Sequence, residues 1–165
     1  MSALGKIALG LALWTALAAA NAAGLRAFDA HSFEAIKASR AGRPFVLAFW
    51  SVYCEPCRKE MPLWERMVGE HPQIDVILVA TDAPGERDLV LKFLQGNPPG
   101  AAELWAFADD YADPLRYAVD RSWRGELPRT YFFDAAHRYE ARSGLPDKAW
   151  VENWFRRHAG GKGTR

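Results

Sequence analysis

Three short apolar runs punctuate the chain: residues 45–51 (FVLAFWS), 74–80 (IDVILVA) and 130–134 (TYFFD). Runs of this length, rich in β-branched and aromatic residues and showing little polar alternation, predict strands covered on both faces. Between them the period changes to that of a helix. Residues 55–70 predict a helix with Leu63, Trp64 and Met67 on its apolar face and Pro62 as an internal kink. Further helices are predicted around Phe33, Ile36 and Lys37, capped by Asp29 or Ser32 and running out at Gly42; over 86–95, closed by Gly96 and a Pro-rich turn; and over 113–120, with Leu115 and Val119 on one side. A last helix starts near Pro146 and carries Trp150, Val151, Trp154 and Phe155. Residues 104–108 read as a short strand, and 138–142 as the return arm of a hairpin with the third apolar run. Strands alternating with helices, then a hairpin and a terminal helix, predict an α/β fold: a mixed sheet flanked by helices in one domain.

Composition supports a packed core, since half of the 165 residues are hydrophobic and 13% aromatic. A formal net charge of +1 gives no electrostatic pull towards nucleic acid, and no nucleic-acid partner is expected. The N-terminus changes the picture more. Lys6 precedes an uncharged stretch that ends in small residues, with Ala20 and Ala22 at the −3 and −1 positions of a cleavage site. This is the pattern of a secretory signal over residues 1–22. The other reading is a membrane anchor through residues 7–25, because 19 uncharged residues approach the ~20 of a spanning helix. Either reading predicts export, to the periplasm, of a domain over residues 28–159 followed by a flexible tail, 160–165.

Export makes the two cysteines informative. Cys54 and Cys57 are three positions apart, so a bridge between them closes a tiny loop and restricts the unfolded chain little. A structural staple is therefore a poor reason for the pair, and chemistry a better one. The motif Cys54-Glu55-Pro56-Cys57 stands where a buried strand gives way to a helix. Unpaired N–H groups and positive partial charge at a helix start favour thiolate, the species that attacks a disulfide. Cys54, at the helix mouth, is the expected nucleophile, and Cys57, one turn on, the resolving thiol. Pro56 suits the first turn. A zinc site would need two more ligands; His31, His71, His137 and His158 are scattered and no second C-x-x-C exists, so no metal is expected.

Residues 49–62 (FWSVYCEPCRKEMP), with Trp50 before the motif and Pro62 five residues after Cys57, closely resemble the active-site stretch of the thioredoxin superfamily. The likeness is to its exported TlpA/ResA-like thiol–disulfide reductases. Residues 125–134 (GELPRTYFFD) resemble the segment carrying that family's cis-proline, here Pro128. The resemblance implies a thioredoxin-like fold with a TlpA-type insert between the cysteine helix and the Pro128 strand. It also implies a substrate-binding surface of Leu127, Pro128, Tyr53 and Trp50, in which the Leu127 backbone pairs with an extended client segment. Two positions depart from the pattern. Tyr53 stands where the family has Trp, and Ala48 where classical thioredoxins bury an acid. Glu60, matching the acidic residue of the ResA-like pattern and at i+3 from Cys57, is the substitute proton carrier, the alternative being a solvated helix glutamate.

Glu55 bears on direction. A carboxylate beside Cys54 disfavours its thiolate, which leans the pair towards a reductant. The resemblance implies the same: reduction of disulfides in exported proteins such as apocytochrome c or copper-site assembly factors, with electrons from a membrane thiol carrier. No cofactor is required, because the electrons reside on sulfur, and a monomer is expected. The alternatives are a disulfide donor or isomerase, and a Cu(I)-handling assembly protein using the two thiolates.

Overall fold

A computed structural model describes residues 24–160 of the chain. The expected leader and residues 161–165 lie outside the described residues. The six strands are β1 (Arg26–Phe28), β2 (Phe45–Trp50), β3 (Asp75–Ala80), β4 (Glu103–Phe107), β5 (Arg129–Phe133) and β6 (Tyr139–Ser143). They form one mixed sheet in the order β1-β4-β3-β2-β5-β6. The helices are α1 (Ser32–Ser39), α2 (Glu55–Glu70), α3 (Arg87–Gly96), α4 (Ala112–Val119) and α5 (Lys148–Ala159).

β2 is the centre of the molecule. All six of its residues are buried, and it pairs in parallel with β3 and antiparallel with β5. Its side chains alternate: Val46, Ala48 and Trp50 face α2, α3 and α5, whereas Phe45, Leu47 and Phe49 face α1 and α4. Each large side chain buried this way contributes about 1.5–3 kcal/mol, which explains why so apolar a run holds the middle of the sheet. On α2, Leu63, Trp64 and Met67 are buried as the periodicity predicts. Pro62 lies within the helix on its exposed side. Trp105 and Trp123 are core residues.

Three details differ from the sequence reading. β1 was not foreseen, because three residues with a single buried side chain carry no period; it gains its place only by pairing with β4, Arg26 opposite Trp105. Neither Asp29 nor Ser32 caps α1. His31 occupies the cap position, while the Asp29 carboxylate accepts from His31 N and from Ser32 Oγ in a closed turn of its own. A short 3₁₀ turn, Pro84–Glu86, precedes α3. Leu25, the end of the stretch read as a possible anchor, is buried in the domain core.

The topology decides where the site falls. β2 and β3 run in parallel, so both end at the same edge of the sheet. β5 runs against β2, with Arg129 opposite Phe49, and therefore begins at that edge. The residues after β2 (the cysteine motif), after β3 (Asp82) and before β5 (Leu127 and Pro128) are thus gathered together, at the carboxyl ends of the parallel strands where α/β sheets place their sites.

Candidate active site

Cys54 is the N-cap of α2. Its backbone is extended (φ −88°, ψ 100°) and its Sγ accepts a hydrogen bond from Cys57 N at 3.2 Å. Pro56 occupies the first turn, where its missing N–H leaves nothing unpaired. Cys54 and Cys57 form a disulfide with Cα atoms 5.2 Å apart. The two sulfur residues differ in access: Cys54 is partly exposed and Cys57 fully buried. The exposed member is therefore the one a second molecule can reach.

The approach to Cys54 is held by an acid that the sequence reading did not single out. Asp82, two residues beyond β3 and 6% exposed, accepts from Ser51 Oγ at 2.7 Å and from Val52 N at 3.1 Å. Ser51 Oγ in turn accepts from Tyr53 N, and Cys54 N donates to Ser51 O, both at 3.1 Å. Burial pushes the Asp82 carboxyl up, against hydrogen bonds from Ser51 and Val52 that pull it down. A polar residue just past a buried strand, at the sheet end that carries the cysteines, was the signal available for it. On the outer side, Arg58 Nη1 donates to Val52 O at 2.7 Å. Tyr53 is 66% exposed, and its hydroxyl donates to Glu86 Oε1 at 2.7 Å. That bond to a carboxylate raises the Tyr53 pKa.

Glu60 is buried, not solvated. It is 3% exposed, one helical turn from Cys57, and its Oε1 has no hydrogen-bond partner. Burial pushes its carboxyl up to about 8, with Trp64 the one side chain that offsets the shift. Ala48, on the strand beneath, is buried on the same side of the sheet as Cys57. Glu55 is otherwise placed. It is exposed and pairs with Lys59 at 2.7 Å, which lowers its pKa, so much of its charge is answered before it reaches Cys54.

Leu127–Pro128 is a cis peptide. Pro128 is buried, with its carbonyl accepting from Gly144 N at 2.9 Å, while Leu127 is half-buried. The turn and loop hydrogen bonds of the described residues leave the Leu127 N–H and C=O untaken. Trp50 requires a correction. It is 2% exposed and stacks obliquely on Phe93 at 5.3 Å, so it supports the site from below and offers no surface to a substrate. Among the described residues, no group of three or more His, Cys, Asp or Glu side chains could hold a metal ion.

A C-x-x-C disulfide capping a helix, with a cis-proline strand beside it on a mixed sheet, defines the thioredoxin fold. No family model matches the chain. Curated relatives do: ResA, a thiol-disulfide oxidoreductase of Halalkalibacterium halodurans, is 36% identical over 53 residues, covering 32% of this chain and 30% of that protein. ResA of Oceanobacillus iheyensis is 32% identical over 100 residues, covering 55% and 44%. The matches thus span less than half the length of these relatives. Among solved structures, a Chlorobium tepidum protein named as thiol:disulfide interchange protein DsbE superposes with a TM-score of 0.60 at 25% identity, covering 74% of this chain and 84% of that one. A secreted Mycobacterium tuberculosis disulfide oxidoreductase superposes equally well, TM-score 0.60, at 18% identity, covering 73% and 85%. The fold is thioredoxin-like, and over about half its length the chain is similar to ResA-type thiol–disulfide oxidoreductases.

Proposed function

We propose that the protein is an extracytoplasmic thiol–disulfide oxidoreductase that reduces disulfides in exported proteins, apocytochrome c and copper-site assembly factors being the kind of client. The observation that carries this reading is the asymmetric cysteine pair: a partly exposed sulfur at the helix mouth joined to a fully buried one a turn away. In the reduced protein the Cys54 thiolate attacks a client disulfide. A mixed disulfide forms and the first client sulfur leaves as a thiolate. Cys57 then loses its proton and attacks Cys54 Sγ, forming the bridge and releasing the second client thiolate. Two electrons have passed to the client, and a membrane dithiol restores the pair. No cofactor takes part.

Glu60 is the proton carrier in this scheme. Its pKa of about 8 lies close to the ~8.5 of an ordinary thiol, so a proton moves between the two at little cost. Leu127 offers its untaken backbone groups to an extended client segment beside Cys54, with Pro128 fixing its position and Tyr53 forming the exposed opposite wall. Residues 1–22 act as the export signal. A reducing role accords with a helix start that carries an acidic neighbour, although Lys59 weakens that lean.

The test is trapping together with a potential. Cys57→Ser should hold a client through Cys54 as a mixed disulfide that dithiothreitol releases, and Cys54→Ser should hold none. A reduction potential near about −120 mV, that of a strong oxidant, would overturn the reducing direction.

A further inference from the structure

The loop between α4 and β5, residues 120–127, ends on Leu127, and its shape depends on one side chain beyond it. Arg129 is 13% exposed and makes four contacts: to Asp120 Oδ2 at 2.8 Å, Tyr131 OH at 3.0 Å, Ser143 Oγ at 2.7 Å and Glu126 Oε1 at 3.3 Å. The two carboxylates it grips organise the rest of the loop. Asp120 Oδ1 accepts from Ser122 N and Oγ, and Asp120 Oδ2 from the Tyr131 hydroxyl. Glu126 Oε2 accepts from Arg124 N, Glu126 Oε1 from Ser143 Oγ, and the Glu126 carbonyl from Trp123 Nε1. Trp123 itself is buried against Phe49 at 4.6 Å. Gly125 adopts φ +98°, a conformation that other residues rarely adopt, and a Cβ there would stand 3.3 Å from the Arg116 guanidinium. Hydrogen bonds hold Asp120 down at about 2 despite burial, and the grip is therefore ionic at any working pH.

We propose that Arg129 is a positioning residue: by clamping Asp120 and Glu126 it fixes the 120–127 loop, and so the Leu127 backbone, in the register an extended polypeptide disulfide requires. The inference rests on the oxidoreductase reading above and concerns which disulfides are accepted. A largely buried ion pair is a poor stabiliser compared with apolar residues of the same volume, so stability alone does not account for a fork with four partners at this position. Fixed geometry does, because a planar guanidinium whose N–H groups are shared among four partners defines direction as well as attraction. A small disulfide reaches Cys54 without pairing to Leu127 and should be indifferent to the clamp. A peptide should not.

The full chain, reduced, is assayed against a peptide disulfide and against a small aromatic disulfide, for wild type, Asp120→Asn, Arg129→Lys and Arg129→Met. With Arg129→Met the peptide KM should rise about tenfold, the equivalent of one displaced backbone hydrogen bond, with kcat and the small-disulfide rate within about twofold. Arg129→Lys, which keeps the charge and loses the fork, should fall between, as should Asp120→Asn. If Arg129→Met does not fold, Asp120→Asn carries the test, since it removes the charge and keeps the size. Unchanged peptide KM in folded variants, or parallel losses on both substrates, would overturn the proposal. Failure of the wild type to reduce either substrate would instead strike the oxidoreductase reading.

Discussion

The two faces of the sheet are built differently. The face under α1 and α4 is largely aromatic. Phe28, Phe45, Phe49, Phe107, Trp123 and Tyr131 stack and edge against one another, with Phe45 and Phe133 at 4.5 Å. Its charged groups are paired: Arg129, Asp120 and Tyr131 satisfy each other at its margin, and Arg40 Nε, which makes no hydrogen bond, lies 2.9 Å from Asp75 Oδ2. The face under α2, α3 and α5 carries Cys57 and Glu60, and it leaves Glu60 Oε1 and Trp50 Nε1 buried without partners. Unpaired buried polar atoms cost stability, and native proteins keep few of them. The contrast teaches a division of labour. One face supplies an aromatic platform with its margin charges paired, and the other tolerates an uncompensated acid one helical turn from Cys57.

That contrast can be broken from the platform side with the largest effect. Phe49→Ala should destabilise the disulfide form by about 3–5 kcal/mol in urea unfolding, through lost burial and the cavity left among the rings. The reduction potential of the cysteine pair should remain near that of wild type, because Phe49 faces away from Cys57.

Glu60→Gln acts from the chemical side. It should slow the reduction of a peptide disulfide by about a hundredfold, the scale of a lost general acid–base group. It should also remove a pH dependence of folding. In the folded protein Glu60 keeps its proton up to about pH 8, whereas in the unfolded chain it loses it near its ordinary 4.5. As pH rises from 4.5 to 8 the folded state holds a proton that the unfolded state has released, so stability falls across this window, by up to about 5 kcal/mol, and levels off above it. Urea titrations of the disulfide form, in which the cysteines do not titrate, should show this slope in wild type and lose it in Glu60→Gln. A flat wild-type profile would remove Glu60 from the proton path.

The smallest effect belongs to the exposed rim. Glu55→Gln should scarcely move the Cys54 thiolate titration, followed by its ultraviolet absorbance, because Lys59 already answers the charge and solvent screens the rest. A large downward shift would restore Glu55 as the group that sets direction.

Much of this was legible in the residues. The run 45–51 announced a doubly covered strand because a strand buried on both faces needs no polar alternation, and β2 ends one residue short of it. The helix over 55–70 was legible from cap, proline and period together. The 26–28 strand was not, since its only signal is a partner 79 residues away in the register Arg26–Trp105. Asp82 and Arg129 escaped for the same reason. An acid after a strand and an arginine after a proline are ordinary in one dimension, and each becomes informative only when Ser51 or Asp120 is brought beside it.

The sequence by itself determined the cysteine pair, the strand-to-helix junction that carries it and the alternation of elements, because each rests on near neighbours along the chain. Tertiary structure decided three things. Glu60 is buried and Trp50 is support, because burial is a property of what packs above a helix or strand. Leu127 stands at the cysteine end of the sheet because β5 runs antiparallel to β2. The loop that carries it is held by Arg129, because carboxylates six residues apart converge on one guanidinium only in the folded chain.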